Sequence, residues 1–283
     1  MSVSPDSLEL RPVRGPSALG GGTKRFLELL WLMAVTEFKR TYFGTVLGYF
    51  WSLLRPLLLF AVLLFVFTKI FRLGSSVQNY PVLLLFNIVL FGFFQEATTT
   101  AVSSVVAQEG IVRKTQFPRL VIPLSIVLTG LMNLGLNLIV VFIFILAYGV
   151  DPMWTWLLLP VILLPLTVLT TAVSMLLSVL YVRFRDVLII WTVAATMLFY
   201  GTPLLYPIEV PTTEGFRAAL MVNPLAVIFE QARVWVIDPN ALSPAEAAGG
   251  TWRLIPATVI FLGVCVLGWR VFTRQAPQIA EAL

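Results

Sequence analysis

The sequence predicts an all-α integral membrane protein, and three observations carry that reading. Of its 283 residues, 59% are hydrophobic and 12% are charged, with a mean hydropathy of +0.93; a soluble globular domain carries about 25% charged residues. The apolar residues are gathered in long runs, and a membrane-crossing helix needs roughly 20 of them in succession. The Lys and Arg residues cluster in the short stretches between those runs, mostly in alternate stretches. That is the pattern by which short basic loops are kept on the cytoplasmic side.

Along the chain, residues 1–23 are rich in Pro, Gly and Ser and lack the apolar centre of a secretion signal, so they read as a disordered cytoplasmic tail. Residues 24–40 are too short in their apolar part to span. Arg25, Glu28, Thr36 and Lys39 fall near one stripe, against Phe26, Leu29, Leu30, Met33 and Phe38, which suits an amphipathic helix lying in the interface. Residues 41–274 are expected to hold six spans, at about 44–71, 80–107, 120–148, 154–181, 187–205 and 252–272. Residues 275–283 form a second cytoplasmic tail, and the protein is expected in the cytoplasmic (inner) membrane with both termini inside.

Two connections stand out. Within residues 108–119, the run Gly110-Ile111-Val112-Arg113-Lys114-Thr115-Gln116-Phe117-Pro118-Arg119 is a basic island that cannot sit in hydrocarbon. Pro118 ends any helix begun at Gly110, because the residue before a proline is pushed out of the α region. A short basic helix on the cytoplasmic face is predicted, where a soluble motor could push. Residues 203–236 are broken by Pro203, Pro207 and Pro211, then form two short apolar segments, 213–222 and 225–236, separated by Asn223-Pro224. Neither crosses about 30 Å of hydrocarbon at ~1.5 Å per residue. They read either as a partly folded external loop or as a re-entrant helix pair dipping into the outer leaflet between the fifth and sixth spans; the helix pair is the expectation.

Catalytic chemistry finds little footing. Histidine is absent, which removes zinc motifs and a histidine base. Cys265 is the only cysteine and lies in a span, so no disulfide or metal site is expected. Gly20-Gly21-Gly22-Thr23-Lys24 lacks the order of a phosphate-cradling P-loop, so any ATP-driven work needs another polypeptide. Asp151, Glu209, Glu214, Glu230, Asp238 and Glu246 follow no metal or catalytic motif. The net charge of +5 reads as cytoplasmic loop charge rather than nucleic-acid binding.

The polar residues inside the spans are the candidates for function. Arg55 and Glu96 each lie about 12 residues from the cytoplasmic end of a span, roughly 18 Å deep. They form either a structural ion pair, with Arg55 free to snorkel toward water, or a cation facing a polar path. The second span carries Gln95, Glu96, Thr98, Thr99, Thr100, Ser103, Ser104 and Gln108; the third carries Thr129, Asn133 and Asn137 on one face; the fourth carries Thr167, Thr170, Thr171, Ser174 and Ser178. Such stripes either glue helices together or line water, and three of them favour at least one hydrated cavity. Tyr42, Phe43, Tyr49, Phe50 and Trp51 at one end, and Phe199, Tyr200 and Tyr206 at the other, read as interfacial belts. A minority of them could stack on sugar rings.

The motifs Arg40-Thr41-Tyr42, Leu47-Gly48-Tyr49-Phe50-Trp51-Ser52-Leu53-Leu54-Arg55-Pro56-Leu57, Val112-Arg113-Lys114-Thr115-Gln116-Phe117-Pro118-Arg119 with Pro123, Tyr181-Val182-Arg183-Phe184-Arg185-Asp186-Val187, Thr202-Pro203-Leu204-Leu205-Tyr206-Pro207, Val210-Pro211 and Asn223-Pro224-Leu225 resemble those of the permease subunits of polysaccharide-type ABC exporters. The family exports O-antigen, teichoic acid or galactan chains. Arg55 departs from the pattern, which has a neutral polar residue before the proline.

The resemblance implies a homodimer bound to two copies of a separate ATPase, which carries the ATP and magnesium; this chain itself would be no enzyme and hold no cofactor or metal. The cargo would be a polysaccharide on a polyprenyl diphosphate lipid. Coupling to the ATPase falls to Glu109, Gly110, Ile111, Val112, Arg113, Lys114, Phe117 and Pro118, with Arg183, Arg185 and Asp186 in the second loop. The substrate path takes Tyr42, Trp51, Arg55, Glu96, Thr99 and Ser103, and an external gate takes Tyr200, Tyr206, Asn223 and Pro224. Competing readings are an exporter of a drug or small lipid, an ion-coupled secondary transporter, and a membrane glycosyltransferase.

Overall fold

The computed structural model describes residues 22–42, 48–71, 79–110, 118–210 and 213–276. Among these residues all regular structure is helical, and five helical segments are long and apolar enough to cross a membrane. The chain is a multi-pass membrane protein.

Helix α1 (Gly22–Tyr42) lies along α4 (Val121–Ala147). Ala34 is buried there, and its carbonyl accepts a hydrogen bond from Thr129 Oγ1 at 3.0 Å. Helix α2 (Gly48–Phe65) contains Pro56 and runs on into a π-helical turn, Val66–Ile70. Apart from Phe60 its large apolar side chains stay at least partly exposed, so it sits on the perimeter.

Helix α3 (Tyr80–Ala107) is the centre. Asn79 turns the chain with a left-handed φ of 56°, and Pro81 sits in the first turn, where its missing N–H has no intrahelical partner to lose. Its first half, residues 80–94, is apolar on nearly every face, the pattern of a helix enclosed by others in a core. Phe86, Phe91, Phe94, Leu84, Leu85 and Leu90 are accordingly fully buried. Helix α4 opens on a turn in which the carbonyls of Pro118 and Arg119 accept from the amides of Val121 and Ile122, at 3.0 and 3.2 Å. Helix α5 (Leu159–Arg183) follows a 3-10 turn, Trp154–Leu158.

Helix α6 (Val187–Gly201) corresponds to the expected fifth span at 187–205 but has only 15 residues, about 22 Å at 1.5 Å per residue. Pro203 accounts for the shortfall: Thr202 before it is extended, with φ −95° and ψ 141°, and the helix stops. Five long apolar segments and one short one therefore stand where six spans were expected.

Beyond α6 come α7 (Glu214–Leu220), α8 (Pro224–Val236) and α9 (Pro244–Ala248), then α10 (Ile255–Gln275). The break between α7 and α8 lies at Asn223, whose side chain accepts from Leu225 N at 3.0 Å and donates to Thr202 Oγ1 at 2.8 Å. Residue pairs mark the two ends of the bundle. Val105, Ile122, Met175, Val179 and Phe272 cluster where α3, α5 and α10 end and α4 begins. At the other end Tyr80 Oη donates to the Leu205 carbonyl at 2.7 Å, and Asn87 Nδ2 to the Leu204 carbonyl at 3.2 Å.

Lipid tails are as apolar as leucine, so close packing rather than water exclusion holds these helices together. The tightest seat joins α5 and α10: a Cβ built on Gly268 would stand 2.4 Å from the Ala172 carbonyl oxygen. Gly268→Ala should therefore push α10 off α5 and destabilise the fold by about 1–3 kcal/mol, the usual range for overpacking. Thermal unfolding in detergent checks this; an unchanged midpoint would show that α10 is not seated at Gly268.

Candidate functional site

A cavity of about 690 Å³ opens between α2, α3 and α4, within the ~300–1,000 Å³ of small-molecule sites. Its polar wall is built by helical spacing. Trp51 and Arg55 lie four residues apart on α2; Glu96, Thr99 and Thr100 lie three and four apart on α3; Asn133 and Asn137 lie four apart on α4. Each set shares a face of its helix and turns it to the same space.

The walls are linked by a directional chain of hydrogen bonds. Asn137 Nδ2 donates to Asn133 Oδ1 at 3.1 Å and to the Asn133 carbonyl at 2.9 Å. Asn133 Nδ2 in turn donates to Glu96 Oε2 at 3.4 Å. Both amides are buried, at 8% and 7% exposure, and the relay ends on one oxygen of the carboxylate. Arg55 shares the cavity with Glu96 and is close enough to feel its charge. Among the described residues no carboxylate lies within ion-pair distance of Arg55. An ionisable group at this depth costs several kcal/mol unless it faces water or a partner; Arg55 faces the cavity.

The structure thus brings together Trp51, Arg55, Glu96 and Thr99. Ser103 lies one turn further along α3 and is not on the cavity wall, and the Tyr42 side chain lies outside the described part of the chain. Two of the three polar stripes reach the cavity and one does not. Thr170, Ser174 and Ser178 of α5 are fully buried, and Thr170 and Ser178 donate to carbonyls of their own helix. That stripe lets helices pack closely; it holds no water-lined face.

Where α3 begins, the short helices form a cap, and here the carboxylates that looked scattered in sequence converge. Arg233 Nη1 lies 2.7 Å from Glu209 Oε2 and 3.3 Å from Glu230 Oε2, with Arg233 and Glu230 buried and Glu209 partly exposed. Glu209 Oε1 also accepts from Leu242 N at 3.4 Å, and Arg217 donates to the Glu209 carbonyl at 2.9 Å. The end of α8 is held as well: Thr155 Oγ1 donates to the Trp235 carbonyl and Trp156 Nε1 to that of Val236, supplying partners for the terminal carbonyls. The sequence reading missed this cluster; the signal that could have found Glu230 and Arg233 is their spacing, two charges three residues apart in a mostly apolar segment. Glu209 joins through a proline-broken turn that no periodicity encodes. Tyr206 packs on the core beside this cap, while Tyr200 at the end of α6 is exposed.

The three charges titrate differently. Burial pushes the Glu209 carboxyl up, but the hydrogen bond and charge of Arg233, with two backbone donors, outweigh it and hold it below the ordinary carboxylate range. Burial pushes Glu230 up to about 7, opposed by the charge of Arg233 and reinforced by that of Glu209. Glu230 therefore binds its proton more tightly in the folded chain than in the unfolded one. Its stabilising contribution is complete below its ordinary value of 4.5 and is lost as the pH rises through about 7. Thermal unfolding should show the cap weakening between pH 5 and pH 8, a slope that Glu230→Gln should flatten; equal slopes would be the contrary result. Arg233→Met, which leaves the buried Glu230 carboxyl beside the partly exposed Glu209 with no cation between them, should cost about 3–5 kcal/mol.

The residues at the opposite end sit on helix termini. Glu109 and Gly110 follow α3, Pro118 precedes α4, Arg183 ends α5, and Asp186 precedes α6. The Arg185 guanidinium lies 5.1 Å from the centre of the Tyr181 ring. Ile111, Val112, Arg113, Lys114 and Phe117 lie outside the described residues.

Long apolar helices around a cavity with polar side chains on its wall define a multi-pass membrane protein. The chain belongs to the ABC-2 type transporter family, which it matches over residues 28–236. It is 30% identical over 263 residues, covering 92% of this chain and 96% of the relative, to the O-antigen export system permease protein RfbA of Myxococcus xanthus. It is 32% identical over 200 residues, covering 70% of this chain and 76% of the relative, to the protein of the same name from Klebsiella pneumoniae.

Proposed function

We propose that this chain is the membrane-spanning permease subunit of an ABC exporter for an O-antigen-like glycan. The observation that carries the reading is the cavity: a cation, a fixed carboxylate, two amides and hydroxyls set among apolar helices, in a chain of this family and similar over almost its whole length to a protein named for O-antigen export. The cargo is a polysaccharide, of galactan or O-antigen type, on a polyprenyl diphosphate lipid, and Trp51, Arg55, Glu96 and Thr99 line its way. ATP and magnesium are bound by a separate subunit, which docks on residues 108–119 and on the loop of Arg183, Arg185 and Asp186. Both termini are cytoplasmic, the membrane is the inner one, and the cap of α7 and α8 is a re-entrant gate at the outer surface.

Two copies of the chain enclose the path. Supporting this, α6 has a single buried residue, Ala195, and leaves Ile189, Ile190, Val193, Met197 and Tyr200 uncovered, while α2 leaves Trp51, Leu58, Val62 and Phe65 uncovered.

The test joins both halves of the proposal. The tagged chain should co-purify with an ABC ATPase encoded in the same cells, and reversing charge at Arg113 and Lys114 together should abolish glycan export while the protein still folds and inserts. Normal export by that double variant, or purification without any ATPase, would overturn the reading.

A further inference from the structure

The chemistry of the cavity narrows what it accepts, a step that rests on the export reading above. The arginine side offers a planar fork of N–H donors suited to two oxygens of a phosphate or carboxylate. On the facing side Glu96 is held by Asn133, itself held by Asn137, leaving a carboxylate oriented to accept hydrogen bonds from hydroxyls. Trp51 and Phe199 supply flat apolar faces on the same lining. A bare anion gains from Arg55 but is repelled by Glu96; a neutral sugar gains from Glu96 and wastes Arg55. A sugar bearing a phosphate satisfies both.

We infer that this cavity is a binding site for a phosphorylated sugar, one site on each chain. Arg55 takes the phosphate oxygens, and Glu96 takes ring hydroxyls in the orientation the asparagine relay imposes. Asn133 is a positioning residue, acting on the sugar through Glu96. The phosphate can come from the glycan itself or from the sugar next to a lipid-linked phosphate, since both present an oxyanion beside hydroxyls.

Calorimetry on the purified full chain in nanodiscs tests this, with galactose 1-phosphate, inorganic phosphate and galactose as probes. Galactose 1-phosphate should bind at one per chain and roughly tenfold or more tighter than either of the others, about 1.4 kcal/mol or more. Arg55→Gln should weaken it at least tenfold, with Arg55→Lys intermediate and thermal unfolding unchanged in both. Glu96→Gln should tighten inorganic phosphate and so erase the preference for the sugar ester; Asn133→Leu should reduce that preference while leaving inorganic phosphate binding as it was. Competition by undecaprenyl phosphate galactose doped into the nanodisc assigns the site to the lipid-proximal sugar, and undiminished binding assigns it to phosphate on the glycan. Equal affinity for galactose 1-phosphate and inorganic phosphate, or undiminished binding by Arg55→Gln, would overturn the inference. The assay involves neither ATP nor export, so a chain that exports without binding loses only this site. A chain that binds but recruits no ATPase loses only the export reading.

Discussion

The constraint on which the rest depends is that a bilayer offers no water to a polar group, so each must find its partner inside the protein. Helix α3 largely obeys this, although Asn87 Oδ1 is buried with no hydrogen-bond partner among the described residues. Its flanks are packed by α4 and α5, and its polar side chains are spent on joints. Thr98 donates to the carbonyl of Phe94 and receives the Trp191 indole of α6 at 3.1 Å. Asn87 and Tyr80 hold the turn that follows α6. The helix thereby positions the short α6, the cap and the cavity wall together, while its Gln95, Glu96, Thr99 and Thr100 line the cavity.

Much of this was legible in the sequence because hydrocarbon thickness imposes a length on apolar runs. The helices at residues 80–107, 120–148 and 154–181 could be read from length alone, and the break at Asn223-Pro224 from proline geometry. Four-residue spacing also announced that Asn133 and Asn137 share a face, without choosing between helix packing and a water-lined wall. It could not say which stripe faces a cavity: Thr170 and Ser178 have the same spacing and chemistry, yet they meet their own backbone in a packed interface. That distinction is made by neighbouring helices, which one stretch of sequence does not contain. The cap was the least legible part, since Glu209 reaches Arg233 across 24 positions through an irregular turn.

The cavity and the cap handle charge in opposite ways. In the cap, Arg233 Nη1 is held between two carboxylates at short distance, an arrangement that ties the cation to the fold. In the cavity, Arg55 and Glu96 stay apart and the carboxylate is steadied by amides instead. A closed ion pair would be a poor receptor, because a ligand would first have to break it. Separated charges with a neutral relay keep the groups ordered and available.

The seat of Gly268 on Ala172 has a mechanical consequence. Two backbones in direct contact have no side-chain rotamers to rearrange, so α10 cannot slip along α5 without steric collision. Thr155 and Trp156, immediately before α5, clasp the end of α8, which adds part of the cap to the same unit. The result is a fixed post through the thickness of the protein. Whatever displacement accompanies a transport cycle must then be borne by the perimeter panels α2 and α6, hinged against this post, and the stroke available is set by how far those two can swing.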